Sequence, residues 1–402
     1  MTPAGALSLL RRRPHFRALW LALALSYSGS GAALVALTLY VQQTHGTGAA
    51  VSALLIAETV PQLLGPLVGG IADRLDLRRV MIGADIGQAC LFALLALAPP
   101  FAALLALSAL TSLLRTTYAP ARTAAVPHLV PEQELLVANG LTGTAFNLYV
   151  AIGPLIGGLL FALGGLTLPL LANAATFLAS AWLTRAVPPM LPETPQGGHE
   201  GILRGAGTAI RYAAGQPLIR AVTVTFFLAI AFLSIDNVAM VFLVRDTLDG
   251  GAFAYGVVAA LFGIGMLAGS LAIARGTRVT PAQLYVGSLL LSAVGALLTG
   301  WAPAIAAVAA VQMVAGAGNG IEIVASETIY QQQVPRRLLG RVFGLTSTAA
   351  ALGMVVAIAV GGLLIEVASP RAAFLVSGAG ALLVAIGAAT VLLRGRSRMI
   401  PS

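Results

Sequence analysis

The chain has 402 residues, 58 % of them hydrophobic and only 9 % charged, against about 25 % charged in an ordinary soluble domain. So few charges cannot cover a water-facing surface, so lipid must solvate most of the chain, and a soluble globular protein is excluded. The net charge of +9 comes with Arg as the only strong base. The Arg residues lie between apolar runs rather than along one amphipathic face, which argues against nucleic acid as a partner. One cysteine, Cys90, and four scattered His support neither a disulfide framework nor a metal site, and no cofactor is expected. The first apolar run outlasts a signal-peptide core and has no small-residue cleavage site behind it, so it reads as a membrane span.

A spanning helix needs about 20 mostly apolar residues. Such runs lie near 17–41, 51–72, 79–98, 103–122, 137–163 and 168–187, and resume near 218–243, 253–274, 281–300, 304–326, 341–366 and 371–393. The expected fold is all-α and integral to the membrane, with twelve transmembrane helices in two pseudo-symmetric six-helix bundles. Residues 1–187 form the first half and 218–402 the second. Between them, 188–217 begins as the Pro- and Gly-rich "PPMLPETPQGGHEG" and continues as "ILRGAGTAIRYAAGQP". That pattern predicts a linker, then a short helix on the inner membrane surface.

Arg placement predicts orientation. With the N-terminus in the cytoplasm, only Arg245 and Arg371 lie outside, Arg115 lies within a span, and every other Arg lies inside. Both termini are then cytoplasmic. Small residues, among them Gly29, Gly31, Gly153, Gly157, Gly265, Gly269, Gly361 and Gly362, fit close helix packing better than ligand binding.

The halves repeat. Shifted by 204, "VPEQELLVANGLTGT" at 130–144 meets "VPRRLLGRVFGLTST" at 334–348, and "GGLL" at 157–160 meets "GGLL" at 361–364 in the same register. Each repeat holds an even number of spans, so the two are parallel repeats about an axis along the membrane normal, with a site expected near the midplane between them.

Four fragments carry a family resemblance. "GGIADRLDLRR" at 69–79 is similar to the signature loop of the major facilitator superfamily, with Gly69, Asp73 and Arg74 matching. Where the family has Gly followed by Arg, this chain has Asp76 and Leu77, and its basic pair comes next as Arg78 and Arg79. "GPLIGG" at 153–158, with Gly153, Pro154, Gly157 and Gly158, resembles the superfamily's antiporter motif, although Tyr149 stands where the family has a preceding Gly. The stretches at 118–141 and 242–258 resemble the branch of enterobactin exporters and macrolide-efflux proteins. The resemblance implies a secondary active exporter in a bacterial cell membrane, moving a small organic or amphiphilic molecule against protons by alternating access, as a monomer. It also implies that Asp73 docks on the start of the eleventh span. An importer or facilitator of the same fold is the alternative, and a non-transporting membrane sensor is a second. No nucleophile–base pair, metal cluster or nucleotide loop marks an enzyme.

Ionisable groups inside spans cost roughly 2.5–3.5 kcal/mol each at a helix centre and so face a cavity or a partner. Arg115, Tyr118 and Arg122, spaced i, i+3, i+7, share one face of the fourth span, and the repeat maps them onto Asn319, Glu322 and Ser326. Under the superfamily resemblance, the two faces would line one cavity from opposite halves. Arg115 and Glu322 then either bind substrate or form a structural ion pair. Glu58 and Asp236, nearer the outer ends of their spans, are proton-coupling candidates. Their alternatives are a hydrogen-bonded helix contact for Glu58 and a water-facing position beside Asn237 for Asp236. Asn147 shares a helix face with Pro154 and is a further cavity-lining candidate.

Overall fold

The computed structural model describes residues 3–64, 75–190, 202–274 and 279–392. Gly69, Asp73, Arg74 and the loop at 191–201 lie outside the described residues. Among the described residues there is helix and no strand. The helices are α1 (Pro3–Arg12), α2 (Pro14–His45), α3 (Gly48–Thr59), α4 (Leu77–Leu95), α5 (Phe101–Leu129), α6 (Leu135–Asn147), α7 (Gly153–Gly164) and α8 (Thr167–Thr184). They continue as α9 (Ile202–Gly215), α10 (Pro217–Leu233), α11 (Asp236–Phe242), α12 (Ala252–Ala274), α13 (Pro281–Trp301), α14 (Ile305–Gln333), α15 (Arg336–Val367) and α16 (Pro370–Leu392).

Ten helical stretches among the described residues are long and apolar enough to cross a membrane. The other two expected spans coincide with the shorter apolar stretch Gly48–Leu64 and with α4, where Arg78, Arg79 and Asp85 dilute the apolar character. Leu163 and Leu383, each 71 % exposed, would be anomalous in water and are ordinary side chains against lipid.

Two expected spans are interrupted. Residues 137–163 lie in one helical span, Val137–Gly164, but not a regular one: α6 passes through a π turn at Leu148–Ile152 into α7. The cause is local. Pro154 has no N–H to donate, and the Gly153 N–H reaches back to the Leu148 carbonyl, five residues earlier. The seventh span breaks at Ser234–Ile235 between α10 and α11 and ends in a second π turn, Leu243–Thr247. The amphipathic α1, absent from the sequence expectation, buries Leu9 in the first core.

The chain divides into two compact units, 1–44 with 53–196, and 45–52 with 197–402. In the first, Phe16, Leu19 and Leu23 of α2 pack with Met81 of α4 and Tyr118, Ala121 and Ala125 of α5. In the second, Tyr285 and Leu289 of α13 pack with Ile219 and Val222 of α10 and Ile329 and Tyr330 of α14. Glycine brings backbones together in both. A β-carbon at Gly265 or Gly269 of α12 would strike the backbone of α14 at Met313 or Ala317, and one at Gly316 or Gly320 of α14 would strike α12. In the first unit, Gly31 of α2 lies against Gly153 and the Tyr149 carbonyl, and Gly157 lies against Ala32. A β-carbon at Gly153 would sit 2.7 Å from the Gly31 Cα. Gly153→Ala should therefore destabilise the purified protein by about 1–3 kcal/mol, the usual cost of overpacking, read as a lowered thermal midpoint. Gly143→Ala, with open space around the new methyl, is the control.

Candidate functional site

The polar centre of the first unit is built where α3 tightens. Its α-helical part ends at Thr59 and continues as a 3-10 turn over Val60–Leu64. The Glu58 carbonyl lies three residues before Pro61, which has no N–H to close the i→i+3 bond of that turn. Side chains take it instead: Gln62 Nε2 donates to it at 2.9 Å and the Ser112 hydroxyl at 2.6 Å. The Glu58 side chain turns to the same place. Its Oε2 accepts from Arg115 Nη2 at 3.0 Å and its Oε1 from the Thr111 hydroxyl at 3.3 Å. Arg115 Nη2 also reaches the Ser112 hydroxyl at 3.3 Å. Thr111, Ser112 and Arg115 are one turn of α5, so a single helical turn grips both the backbone and the carboxylate of Glu58.

The sequence pairs Arg115 with Glu322 through the repeat; in the structure its carboxylate partner is Glu58, within the same unit. The pair is asymmetrically buried, the Glu58 side chain being 10 % exposed and that of Arg115 30 %. Arg115 thus keeps part of its surface outside these contacts, while Glu58 is enclosed by its protein partners.

Tyr118, on the same face, is buried. Arg122 donates from Nη1 to the Tyr27 hydroxyl at 3.0 Å. Asn147 is partly exposed at the end of α6, immediately before the π turn. Asp85 of α4, fully buried, accepts from Ser180 of α8 at 2.7 Å through Oδ2, while Oδ1 has no partner among the described residues.

In the second unit Glu322 of α14 is 2 % exposed. Its Oε1 has no hydrogen-bond partner and no cation pairs with it among the described residues. Asn319, one turn earlier, is partly exposed. Asp236 opens α11 after the break, partly buried, and Asn237 beside it is exposed, its Nδ2 donating to the Ser234 carbonyl at 3.0 Å. Gly153, Pro154, Gly157 and Gly158 are all buried, with Gly153 and Gly157 at the close approach to α2 described above.

Of the signature loop only the distal part is described. Asp76 is the N-cap of α4: it accepts from the Arg78 N–H at 3.0 Å and from the Met190 N–H at 3.1 Å. The Leu77 N–H returns the bond to the Met190 carbonyl at 3.0 Å. The aspartate that departs from the family pattern thus ties the loop to the chain after the sixth span. An Asp just ahead of an apolar helix is a readable cap signal. Arg79, 85 % exposed and 3.7 Å from Asp76, adds little. Asp76→Ala should lower stability by about 1 kcal/mol, as cap removal typically does, and Asp76→Asn should recover most of it; thermal unfolding in detergent checks both.

The comparisons with known proteins cover most of the chain. A family model described as transmembrane secretion effector matches residues 4–400. The enterobactin exporter EntS of Salmonella typhimurium is 30 % identical over 415 residues, spanning 98 % of this chain and 95 % of EntS. The transporter YfiS of Bacillus subtilis, of major facilitator type, is 28 % identical over 374 residues, 89 % of this chain and 88 % of YfiS. Among solved structures, a variant of the nucleoside transporter NupG superposes with a TM-score of 0.78 at 13 % identity, covering 94 % of this chain and 99 % of that one. A bacterial homologue of the human lysosomal transporter Spinster gives 0.71 at 15 % identity, covering 97 % and 100 %. At such identities the structural likeness speaks for the fold.

Proposed function

The chain belongs to the transmembrane secretion effector family of the major facilitator superfamily, a multi-pass membrane transporter of small molecules, and from that premise we propose that it is a proton-coupled exporter. It moves a small organic or amphiphilic molecule outward across the bacterial inner membrane by alternating access of two six-helix halves, 1–187 and 218–402, joined by the linker 188–217. Both termini lie in the cytoplasm, as the placement of Arg favours, and the working unit is a monomer. Export is supported by full-length similarity to the enterobactin exporters.

The observation that carries the coupling is Glu322, a carboxyl buried in a membrane helix with no cation paired to it among the described residues. An ionised carboxylate held that way is expensive. A group that takes a proton when the site opens outward and gives it up when the site opens inward turns that expense into coupling. Glu58, held by Arg115, is the less suitable carrier, and Asp236 stands between them in burial. Accumulation of antibiotics, siderophores and dyes in a pump-deficient host tests the reading. Expression should lower accumulation of at least one compound, and a protonophore should abolish the difference. Raised accumulation on expression would make the protein an importer.

A further inference from the structure

The aromatic residues beside Arg122 are used by nothing described so far. Tyr27 of α2 meets Phe146 of α6 edge-on, with centroids 5.9 Å apart at 84°, and Tyr149 at 6.4 Å and 64°. Phe146 and Tyr149 stack at 5.8 Å and 20°. Tyr149 lies inside the π turn; the extra residue per turn rotates it relative to a continuous α-helix, and such turns recur at functional sites. The arrangement is open: Phe146 is 46 % exposed, and Tyr27, Tyr149 and Arg122 are partly exposed.

Arg122 completes the group. Its Cζ lies 5.8 Å from the Tyr27 ring centroid, and Nη1 holds the Tyr27 hydroxyl. Its Nε is buried with no hydrogen-bond partner, and no carboxylate pairs with it, among the described residues. Arg115, two turns earlier on the same face, shows what a paired intramembrane arginine looks like here: it is held by Glu58. Under the repeat Arg122 corresponds to Ser326, so the charge belongs to one half only. An arginine of the candidate span Phe101–Leu129 open to lipid would be costly, so this face meets water. What it lacks is an anion.

We propose that Tyr27, Phe146, Tyr149 and Arg122 form a subsite for a planar aromatic molecule carrying an anionic oxygen group, most simply an aromatic carboxylate. The ring slots against the Phe146–Tyr149 stack, and the anion supplies the counter-charge that Arg122 lacks. The inference deepens the export reading, since it names the substrate class of the transporter.

The test is equilibrium binding to the full-length protein in nanodiscs, with empty nanodiscs subtracted, using naphthoate, neutral methoxynaphthalene and non-aromatic cyclohexanecarboxylate as probes. Naphthoate should bind about tenfold tighter than either, the increment expected of one charge-assisted contact on top of ring stacking. Arg122→Gln should remove that tenfold while leaving methoxynaphthalene within about twofold. Phe146→Ala, which truncates an exposed ring, should weaken both aromatic probes and leave cyclohexanecarboxylate unchanged. Equal binding of naphthoate and methoxynaphthalene to the wild type overturns the proposal, as does unchanged naphthoate affinity in either variant. If Arg122→Gln is not monodisperse, wild-type discrimination and Phe146→Ala decide. Binding requires no gradient, so failure of this subsite is distinct from failure of proton-driven export, which a protonophore reads.

Discussion

Arg115→Ala should cost the transporter both stability and activity, and more of each than Glu58→Gln. The asymmetry follows from exposure. Removing Arg115 strands a carboxylate that is 10 % exposed; removing the charge of Glu58 leaves an arginine that is 30 % exposed and can turn to water. Breaking a buried ion pair from one side costs about 3–5 kcal/mol when the remaining charge has nowhere to go, and considerably less when it is solvated. About 3 kcal/mol is expected for Arg115→Ala and about 1 kcal/mol for Glu58→Gln. Because Thr111 and Ser112 donate to Glu58 as well, the double variant Arg115→Ala with Glu58→Gln should recover part of the loss, leaving a coupling energy that a double-mutant cycle reads. Thermal unfolding in detergent gives the stabilities, and Leu110→Ala, an exposed position on the same helix, is the control. Equal costs for both single changes would place Arg115 in a fully enclosed pair and remove the basis for its access to a ligand.

Glu322→Gln should separate driving force from binding. If Glu322 carries the proton, the amide keeps its volume and neutrality but cannot release a proton. Uphill efflux should fall by at least an order of magnitude, to the level of the vector control, while exchange down a substrate gradient persists. Asp236→Asn and Glu58→Gln should each leave more protonophore-sensitive efflux than Glu322→Gln. Full uphill efflux by Glu322→Gln, together with its loss in Asp236→Asn, would move the carrier to the break between α10 and α11.

Most of the architecture is legible in the sequence because lipid imposes a coarse rule: stretches of about 20 apolar residues must be helices. The expected spans at 281–300 and 371–393 agree with α13 (Pro281–Trp301) and α16 (Pro370–Leu392) to within one residue. The short helix expected after 201 is α9, with Ile210 54 % exposed. What hydropathy misses is departure from α geometry inside an apolar run. The first π turn, Leu148–Ile152, is as apolar as the helices it joins, although Pro154 marks it, and the second, Leu243–Thr247, carries Arg245 and Asp246 where its span ends. The α1 helix escaped notice because its apolar stripe is too short to read as a span.

The site was legible by type rather than by partner. Arg115, Glu58 and Glu322 stood out because charge is rare in an apolar run. The repeat related Arg115 to Glu322 through symmetry, whereas the carboxylate that meets Arg115 is Glu58, on a helix of the same unit. Asp76 read as a departure from a family pattern and is a helix cap. The Tyr27–Phe146–Tyr149 group left no trace, since three aromatics on two helices carry no common spacing. The packing of Gly31 on Gly153 helps bring those helices close enough.

The most direct test of the central claim uses proteoliposomes loaded with a compound found in the accumulation screen, with an imposed pH gradient and a pH-sensitive dye on the far side. The account predicts movement of the compound against its own gradient, accompanied by proton flux in the opposite direction and lost on Glu322→Gln. Movement that merely equalises the compound across the membrane, with or without the pH gradient and without proton flux, would contradict it.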